Sequence, residues 1–557
     1  MSKTLQMVQQ LSVNLLNMQR QRYKAIDYVM IDVPAQFPII PDDRNLIQRQ
    51  ILGEPAMSLM EFEQTLERIG DDPRPIGVIL YLRGIAVSLA DLQTIRDAIS
   101  RLREKGKRVI SYSARYDTRS YYLASACDEI LMLPGGILDT TGLLSQQVFL
   151  KDGLAVVGLK FDSVAISPFK GAMDTFTRTE PSDEGREQIN WLLDSTFNMI
   201  LDGIASTRKM KPDAVKKMID TAPHIGDTAL EKGYIDGIMN EERLIDYLGI
   251  TKITPWEEAD QQVYLPVKDH SQKYVAVIYA GGMIVDGESA KPPAESPIPI
   301  PFVGGERLGD MTLNQQVRNL MKDEQCGALV LYIDSGGGSA SASESMASTL
   351  AEFAKSRPFV VYMGGVAASG GYYIATPADW IVAQAGTVTG SIGVIMGKLV
   401  NNEMLKKLHF NAVSYLRGDN ADIISSDSAF NDAQRQQIRE GIEHIYDQFL
   451  SRVARSRGKT VEEIDAIGGG RVWTGEQALE NGLIDEIGNL KTAIKKAREL
   501  ANLPDDAPST LIRDKGKPIG AQLAQKNPAA FMKYVVDNVE SMTNRAQYLL
   551  PFDWRDS

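Results

Sequence analysis

Cysteine and histidine are scarce in this chain of 557 residues, which has two cysteines, Cys127 and Cys326, and four histidines, His224, His270, His409 and His444. The cysteines stand in different halves and form no C-x-x-C pair, which excludes a disulfide framework and a cysteine zinc site but does not fix the redox compartment. No His/Asp/Glu cluster has metal-ligand spacing, so neither a metal nor another cofactor is expected. Long apolar runs are also missing. No stretch approaches the roughly 18–20 residues of a membrane span, and Gln, Asn and Ser interrupt the apolar residues of the amino end, unlike a signal peptide. There is no surplus of positive charge. A net charge of -12 argues against a nucleic-acid partner and gives no reason to expect strong attraction to anionic lipid. With 43% hydrophobic and 24% charged residues, the composition is that of an ordinary globular protein, long enough for about two to four domains.

What the chain does have is the stretch Met363–Tyr373, M-G-G-V-A-A-S-G-G-Y-Y. It follows an apolar run, Pro358–Tyr362, that reads as a buried strand, and it leads into a segment that reads as a helix start. Ser369 therefore sits at a strand-to-helix tip between glycines that let a substrate backbone approach, which makes it the first candidate nucleophile. The plainer reading is a tight turn with a serine N-cap.

The chain also contains itself twice. G-V-I-L-Y-L-R-G (Gly77–Gly84), K-R-V-I-S-Y and Y-Y-L-A-S-A-C-D-E-I recur in order as A-L-V-L-Y-I-D-S (Ala328–Ser335), P-F-V-V-Y and Y-Y-I-A-T-P-A-D-W-I. T-G-L-L (Thr141–Leu144) matches T-G-S-I (Thr389–Ile392), and T-A-L-E-K-G-Y-I-D-G-I matches Q-A-L-E-N-G-L-I-D-E-I. Short apolar strands alternate with amphipathic helices in each copy, the pattern of an α/β fold with parallel strand pairs. The expected organisation is an N-terminal extension (1–60), a first copy (61–250), a second copy (251–500) and a C-terminal tail (501–557). In the extension, Leu5, Val8, Leu11, Leu15 and Met18 have the spacing of an amphipathic helix that packs on its own protein, on a sister subunit or on a membrane surface. The prolines of Lys291–Pro301 forbid helix and sheet interior, giving either a mobile loop beside a cleft or an extended docking segment.

The copies have diverged where chemistry is expected. Thr118 takes the place of Ser369, and the loop Asp334–Ser339 (D-S-G-G-G-S) corresponds to R-G-I-A-V-S. Two glycine-rich strand ends in the second copy can face each other at the C-terminal edge of a parallel sheet, their amides forming an oxyanion hole. No histidine lies in a glycine loop or beside an acidic partner in a known motif, although a distant triad member is not excluded. The repeat points instead to Lys170, whose counterpart is Asp419. Such a lysine works as a base only where burial lowers its pKa, which Ile166, Pro168, Phe169, Ala172 and Met173 could arrange; otherwise it is a solvated surface lysine.

The segments M-G-G-V-A-A-S-G-G-Y-Y, D-S-G-G-G-S-A-S-A-S-E, T-V-T-G-S-I-G-V and S-P-F-K-G-A resemble those of the signal peptide peptidase A family, Ser/Lys proteases of the ClpP/crotonase-like fold. The tandem arrangement resembles its long, 67K-type form over about residues 75 to 500. The resemblance implies two tandem ClpP/crotonase-like domains of the ββα superhelix type. It also implies Ser369 as nucleophile, Lys170 as general base, Ser391 orienting the lysine, and the amides of Gly337 and Gly370 as the oxyanion hole. The implied substrates are hydrophobic peptides such as leftover signal peptides, and the implied assembly is a membrane-anchored, bowl-shaped homotetramer. Two departures stand out. The family's S-P-G-G loop reads Ser335-Gly336-Gly337-Gly338 here, and no spanning helix is visible, leaving a soluble or a peripherally attached member. Other classes kept in view are an inactive protein-binding scaffold and a crotonase-like acyl-CoA enzyme, the latter distinguished by CoA binding.

Overall fold

A computed structural model describes residues 3–23, 26–42, 44, 49, 53–266, 273–290, 305–513 and 547–549. The chain forms two compact units, one made of Met1–Leu144 with Asp194–Gln272, the other of Ser145–Leu193 with Lys273–Arg555. Thus a block of the first copy, Ser145–Leu193, folds as part of the second unit.

In the first unit the sheet runs His224–Ile225, Glu129–Asp139, Arg108–Asp117, Gly77–Leu82, Tyr28–Val33, Ile253–Pro255, and Gly237–Ile238 also pairs with Glu129–Asp139. The pairings are parallel except that of His224–Ile225. Ile79, Ile110, Tyr112 and Leu131 fill one face of this sheet. The helix Leu89–Glu104 starts where Ser88 accepts a hydrogen bond from the Asp91 amide, as an N-cap should. Tyr28–Val33 lies among the first 60 residues and is an inner strand of the sheet.

The second unit repeats this plan. Its larger sheet runs Val472–Thr474, Val388–Gly390, Phe359–Ala368, Cys326–Ser335, Tyr274–Gly281, Ser509–Ile512, with Trp380–Ala383 attached beside Phe359–Ala368 and Glu486–Ile487 beside Trp380–Ala383. Tyr274–Gly281 and Ser509–Ile512 thus play the parts of Tyr28–Val33 and Ile253–Pro255. Every residue of Phe359–Ala368 is buried, as a strand covered on both faces requires.

This strand is longer than the sequence suggests. The apolar run Pro358–Tyr362 reads as the strand, but the strand runs on to Ala368 because Val366–Ala368 pair in parallel with Val388–Gly390. At Gly364 a Cβ would lie 2.5 Å from the Tyr332 ring, so the glycine makes room for a neighbour and does not end the strand. The pairing of Cys326–Ser335 with Phe359–Ala368 shifts register between Ile333 and Ser335, so the two strand ends carry loops out of step with the ladder below.

A smaller sheet in the same unit runs Arg307–Gly309, Met283–Val285, Gly337–Ser339, Gln547–Leu549, Ile395–Val400, Lys160–Ala165. Lys160–Ala165 pairs antiparallel with Ile395–Val400 over six residue pairs, which fixes the chain leading to Lys170.

Lys3–Arg20 is a helix as expected, with Leu11, Leu15 and Met18 exposed. Its carboxyl end is tied to the first unit, because Asn17 Nδ2 donates to Leu265 O at 3.0 Å and Arg20 donates to Asp260 O at 2.8 Å. Among the described residues no helix is long and apolar enough to cross a membrane. The proline-rich Lys291–Pro301 lies outside the described residues, as does the tail apart from 501–513 and 547–549.

Candidate active site

Ser369 stands at the junction between the strand Phe359–Ala368 and the helix Gly370–Ala375, with φ 56° and ψ -114°. A side chain disfavours this conformation, and such strain persists only when the surroundings fix it. Here the Ser369 amide donates to Gly390 O at 2.8 Å, and Ser369 O accepts from the Tyr373 amide at 2.8 Å. The hydroxyl makes no N-cap hydrogen bond, so the capping reading does not hold and Oγ is left for other partners.

Its partner is Lys170. Nζ lies 2.7 Å from Ser369 Oγ, 2.9 Å from Ser391 Oγ and 2.9 Å from Ser391 O. Lys170 is 1% exposed, and Ser369 and Ser391 are fully buried. Burial pushes the Lys170 ammonium well below its ordinary pKa, because the charged form is stripped of solvent. A neutral amine has two N–H groups and one lone pair. The two Ser391 oxygens can take the N–H groups, and the lone pair then faces the Ser369 hydroxyl.

Several contacts hold the lysine. Ile166 N donates to Val394 O at 3.0 Å, Lys170 N donates to Ser167 O at 3.1 Å, and the Ser167 hydroxyl donates to Gly469 O. Next door, Phe169 is covered on one face by the Arg471 guanidinium 4.1 Å away and stacks towards Trp191 at 6.0 Å. Trp191 in turn stacks on Trp473 at 5.0 Å and 11°. Trp191 Nε1 donates to Val472 O, and Gln188 Oε1 accepts from Val472 N, so both backbone groups of Val472 are held by side chains from the segment that follows Lys170. Ser391, at φ 51°, is fixed by its amide donating to Arg471 O at 2.6 Å.

Gly337 and Gly370 come together, since a Cβ on Gly370 would lie 3.2 Å from Gly337 Cα. In the resting structure the Gly337 amide donates to Ser335 Oγ at 3.2 Å, and Ser335 Oγ donates to Gly282 O at 2.6 Å. This loop, which carries Gly336 in place of the family proline, is thereby pinned at its base. The five residues singled out in the sequence thus occupy one site within the second unit. Sequence reasoning missed Gln188, Trp191, Trp473 and the turn Gly468–Arg471; its only signal there was three successive glycines.

The remaining candidates lie elsewhere. His224 is buried in the first unit with Nε2 2.9 Å from Met218 O, His409 and His444 are exposed, and His270 is outside the described residues. Asp419, the counterpart of Lys170, is exposed. Thr118, the counterpart of Ser369, exchanges hydrogen bonds with Gly142 O and N at 3.1 Å, so this hydroxyl is spent on holding its own loop. Both cysteines are free and buried. Among the described residues no group of three or more His, Cys, Asp or Glu is placed to hold a metal.

The chain is similar to several known proteins. The description "Peptidase family S49" matches residues 101–252 and 351–504. Protease 4 of Salmonella typhi is 32% identical over 80% of this chain and 72% of its own length. Protease 4 of Haemophilus influenzae is 30% identical over 79% and 72%. The chloroplastic serine protease SPPA of Arabidopsis thaliana is 29% identical over 82% and 68%. Among solved structures, a membrane-bound stomatin-specific protease aligns with 44% of this chain and 100% of its own at 15% identity, with a TM-score of 0.28. The class defined by the sequence matches is that of serine proteases, here in the long form with two tandem domains. The chain belongs to peptidase family S49.

Proposed function

We propose that the chain is an endopeptidase that cuts hydrophobic, unfolded peptides, such as leftover signal peptides, through a Ser369–Lys170 dyad and an acyl-enzyme. The observation that carries this reading is the 2.7 Å approach of Lys170 Nζ to Ser369 Oγ where neither is solvated. Neutral Lys170 takes the hydroxyl proton as Oγ bonds to the scissile carbonyl carbon, and the carbonyl electron pair moves onto oxygen. The amides of Gly337 and Gly370 receive that oxyanion, the former by leaving Ser335 Oγ. Collapse breaks the C–N bond, and the leaving amine takes the proton from Lys170. Water then adds to the ester, Lys170 removing its proton, and the acid is released with the serine restored.

Ser391 orients the amine through its hydroxyl and carbonyl oxygens. The homo-oligomer, a tetramer by family resemblance, and peripheral membrane attachment belong to the same reading. Sedimentation and vesicle flotation of the full chain test them.

The deciding experiment is hydrolysis of a hydrophobic fluorogenic peptide by the wild type, Ser369→Ala and Lys170→Ala, with folding checked by circular dichroism. Both variants should lose on the order of 10³-fold or more in kcat. A folded Lys170→Ala that keeps its activity would overturn the lysine as base.

A further inference from the structure

The turn Gly468–Arg471 touches the supports of both Lys170 and Ser391. Gly469 O accepts from the Ser167 hydroxyl, Gly470 lies against the Lys170 backbone, and Arg471 O accepts from the Ser391 amide at 2.6 Å. One group of the turn is held from a different element. The Gly469 amide donates to the Tyr446 hydroxyl at 2.8 Å, and that hydroxyl donates to Asp465 Oδ1 at 2.6 Å. Tyr446 is 7% exposed and belongs to the helix Asp432–Arg457, on the stripe that also buries Ile442, Phe449 and Val453.

The helix is gripped on both sides of Tyr446. Three turns earlier, about 16 Å along the axis, Arg435 donates to the two Asp162 carboxylate oxygens at 2.8 and 2.9 Å and to Ser163 O at 3.1 Å, on the strand Lys160–Ala165 that precedes Lys170. In the other direction Arg452 donates to the Tyr373 hydroxyl at 3.2 Å, and the Phe449 and Tyr373 rings pack with centroids 4.8 Å apart, on the helix that follows Ser369. A hydroxyl that is donor and acceptor at once, buried and carried on a helix fixed at both ends, cannot swing away without losing two hydrogen bonds. There is little slack, because a Cβ on Gly468 would lie 3.0 Å from the same hydroxyl. We propose that Tyr446 is a positioning residue, its hydroxyl fixing the turn Gly468–Arg471 and the turn fixing where Lys170 Nζ stands against Ser369 Oγ. Its effect on rate rests on the Ser/Lys reading; its anchoring of the turn does not.

The test compares the full-length wild type with Tyr446→Phe, which keeps the ring and removes the hydroxyl, and with Tyr274→Phe. Tyr274 also donates to a carboxylate, that of Asp323 at 2.8 Å, but stands at the start of its strand, at the opposite edge of the parallel sheet from Ser369. Hydrogen exchange at Gly468–Arg471 should be faster in Tyr446→Phe and unchanged in Tyr274→Phe. With a hydrophobic fluorogenic peptide, Tyr446→Phe should lose roughly 10- to 100-fold in kcat while KM stays within about twofold. The inflection of its kcat/KM against pH should move up by about one pH unit, as a looser seat admits water to the ammonium. The turn brings Arg471 and the lysine's own segment brings Asp174; the substitution changes neither, and Nζ bonds to Ser369 and Ser391. Asp465→Asn, which leaves the phenol a weaker acceptor, should show the same changes at smaller size and serves as the second variant.

Equal exchange at Gly468–Arg471 in Tyr446→Phe and the wild type overturns the anchoring. Faster exchange with an unmoved inflection, whatever the rate, confines the hydroxyl to stability and overturns the positioning. The same loss and shift in Tyr274→Phe would overturn it as well, since any broken tyrosine–carboxylate bond would then suffice. Wild-type activity in Lys170→Ala overturns the Ser/Lys reading instead, and the exchange data tell that result apart from a failure of the anchor.

Discussion

Gly470 has no side chain because Lys170 fills the space where one would be. A Cβ built on Gly470, at φ 93°, would lie 2.7 Å from the Cα, Cβ and N of Lys170. The contact is with backbone and cannot be relieved by a rotamer change. The Gly470 amide also donates to Ile392 O at 2.7 Å, next to Ser391. One turn therefore abuts Lys170 on one side and the chain beside Ser391 on the other.

Gly470→Ala should accordingly lower kcat by roughly 10²-fold or more through misplacement of Nζ, with a smaller effect on KM. Gly441→Ala is the control, since a Cβ there meets nothing within 4 Å and the residue lies within the helix Asp432–Arg457. Steady-state kinetics of both variants check this. Equal activity would show that the turn does not position the base.

Activity should rise with pH. In the proposed mechanism Lys170 acts as the neutral amine, and burial holds its pKa well below the ordinary value, so kcat/KM should climb as pH passes upward through that lowered value and then level off. A pH–rate profile that instead falls across the same range would contradict a neutral amine as base.

Stability carries the same sign. Between its lowered folded pKa and the ordinary value near 10.5, Lys170 binds a proton in the unfolded chain but not in the folded one. Stability from this group therefore increases with pH across that window, is lost as pH falls through it, and levels off below the folded pKa. Lys170→Met should abolish activity, should be about 1–3 kcal/mol more stable at pH values near and below the folded pKa, and should remove this part of the pH slope. Thermal unfolding of both proteins across pH measures the difference.

Ser369→Gly and Ser369→Ala should be equally inactive but not equally stable. The φ of 56° and ψ of -114° suit glycine and strain alanine, so the glycine variant should be the more stable by about 1 kcal/mol. Chemical denaturation compares them.

The sequence made Ser369 visible because glycines around one serine after an apolar run are unusual, and the repeat made Lys170 visible by setting it against Asp419. The α/β repeat was legible for the same reason, as one copy's strands vouch for the other's. Less legible was everything that holds the lysine. Phe169, Trp191 and Trp473 stack although Trp191 and Trp473 are far apart in the chain and follow no helical or strand period. The strands Tyr28–Val33 and Gln547–Leu549 were missed because short segments take their state from the edges they meet, and those edges, Gly77–Leu82 and Gly337–Ser339, lie outside any local stretch of sequence.

The fold of the second unit around Ser145–Leu193 has a genetic consequence. Hydroxyl and amine lie 199 positions apart and descend from different copies of the duplicated segment. Neither copy could be inherited, exchanged or expressed alone and still carry both. A crossover between the repeats would part the pair as surely as a mutation at either residue, so selection acts on the two copies as one locus.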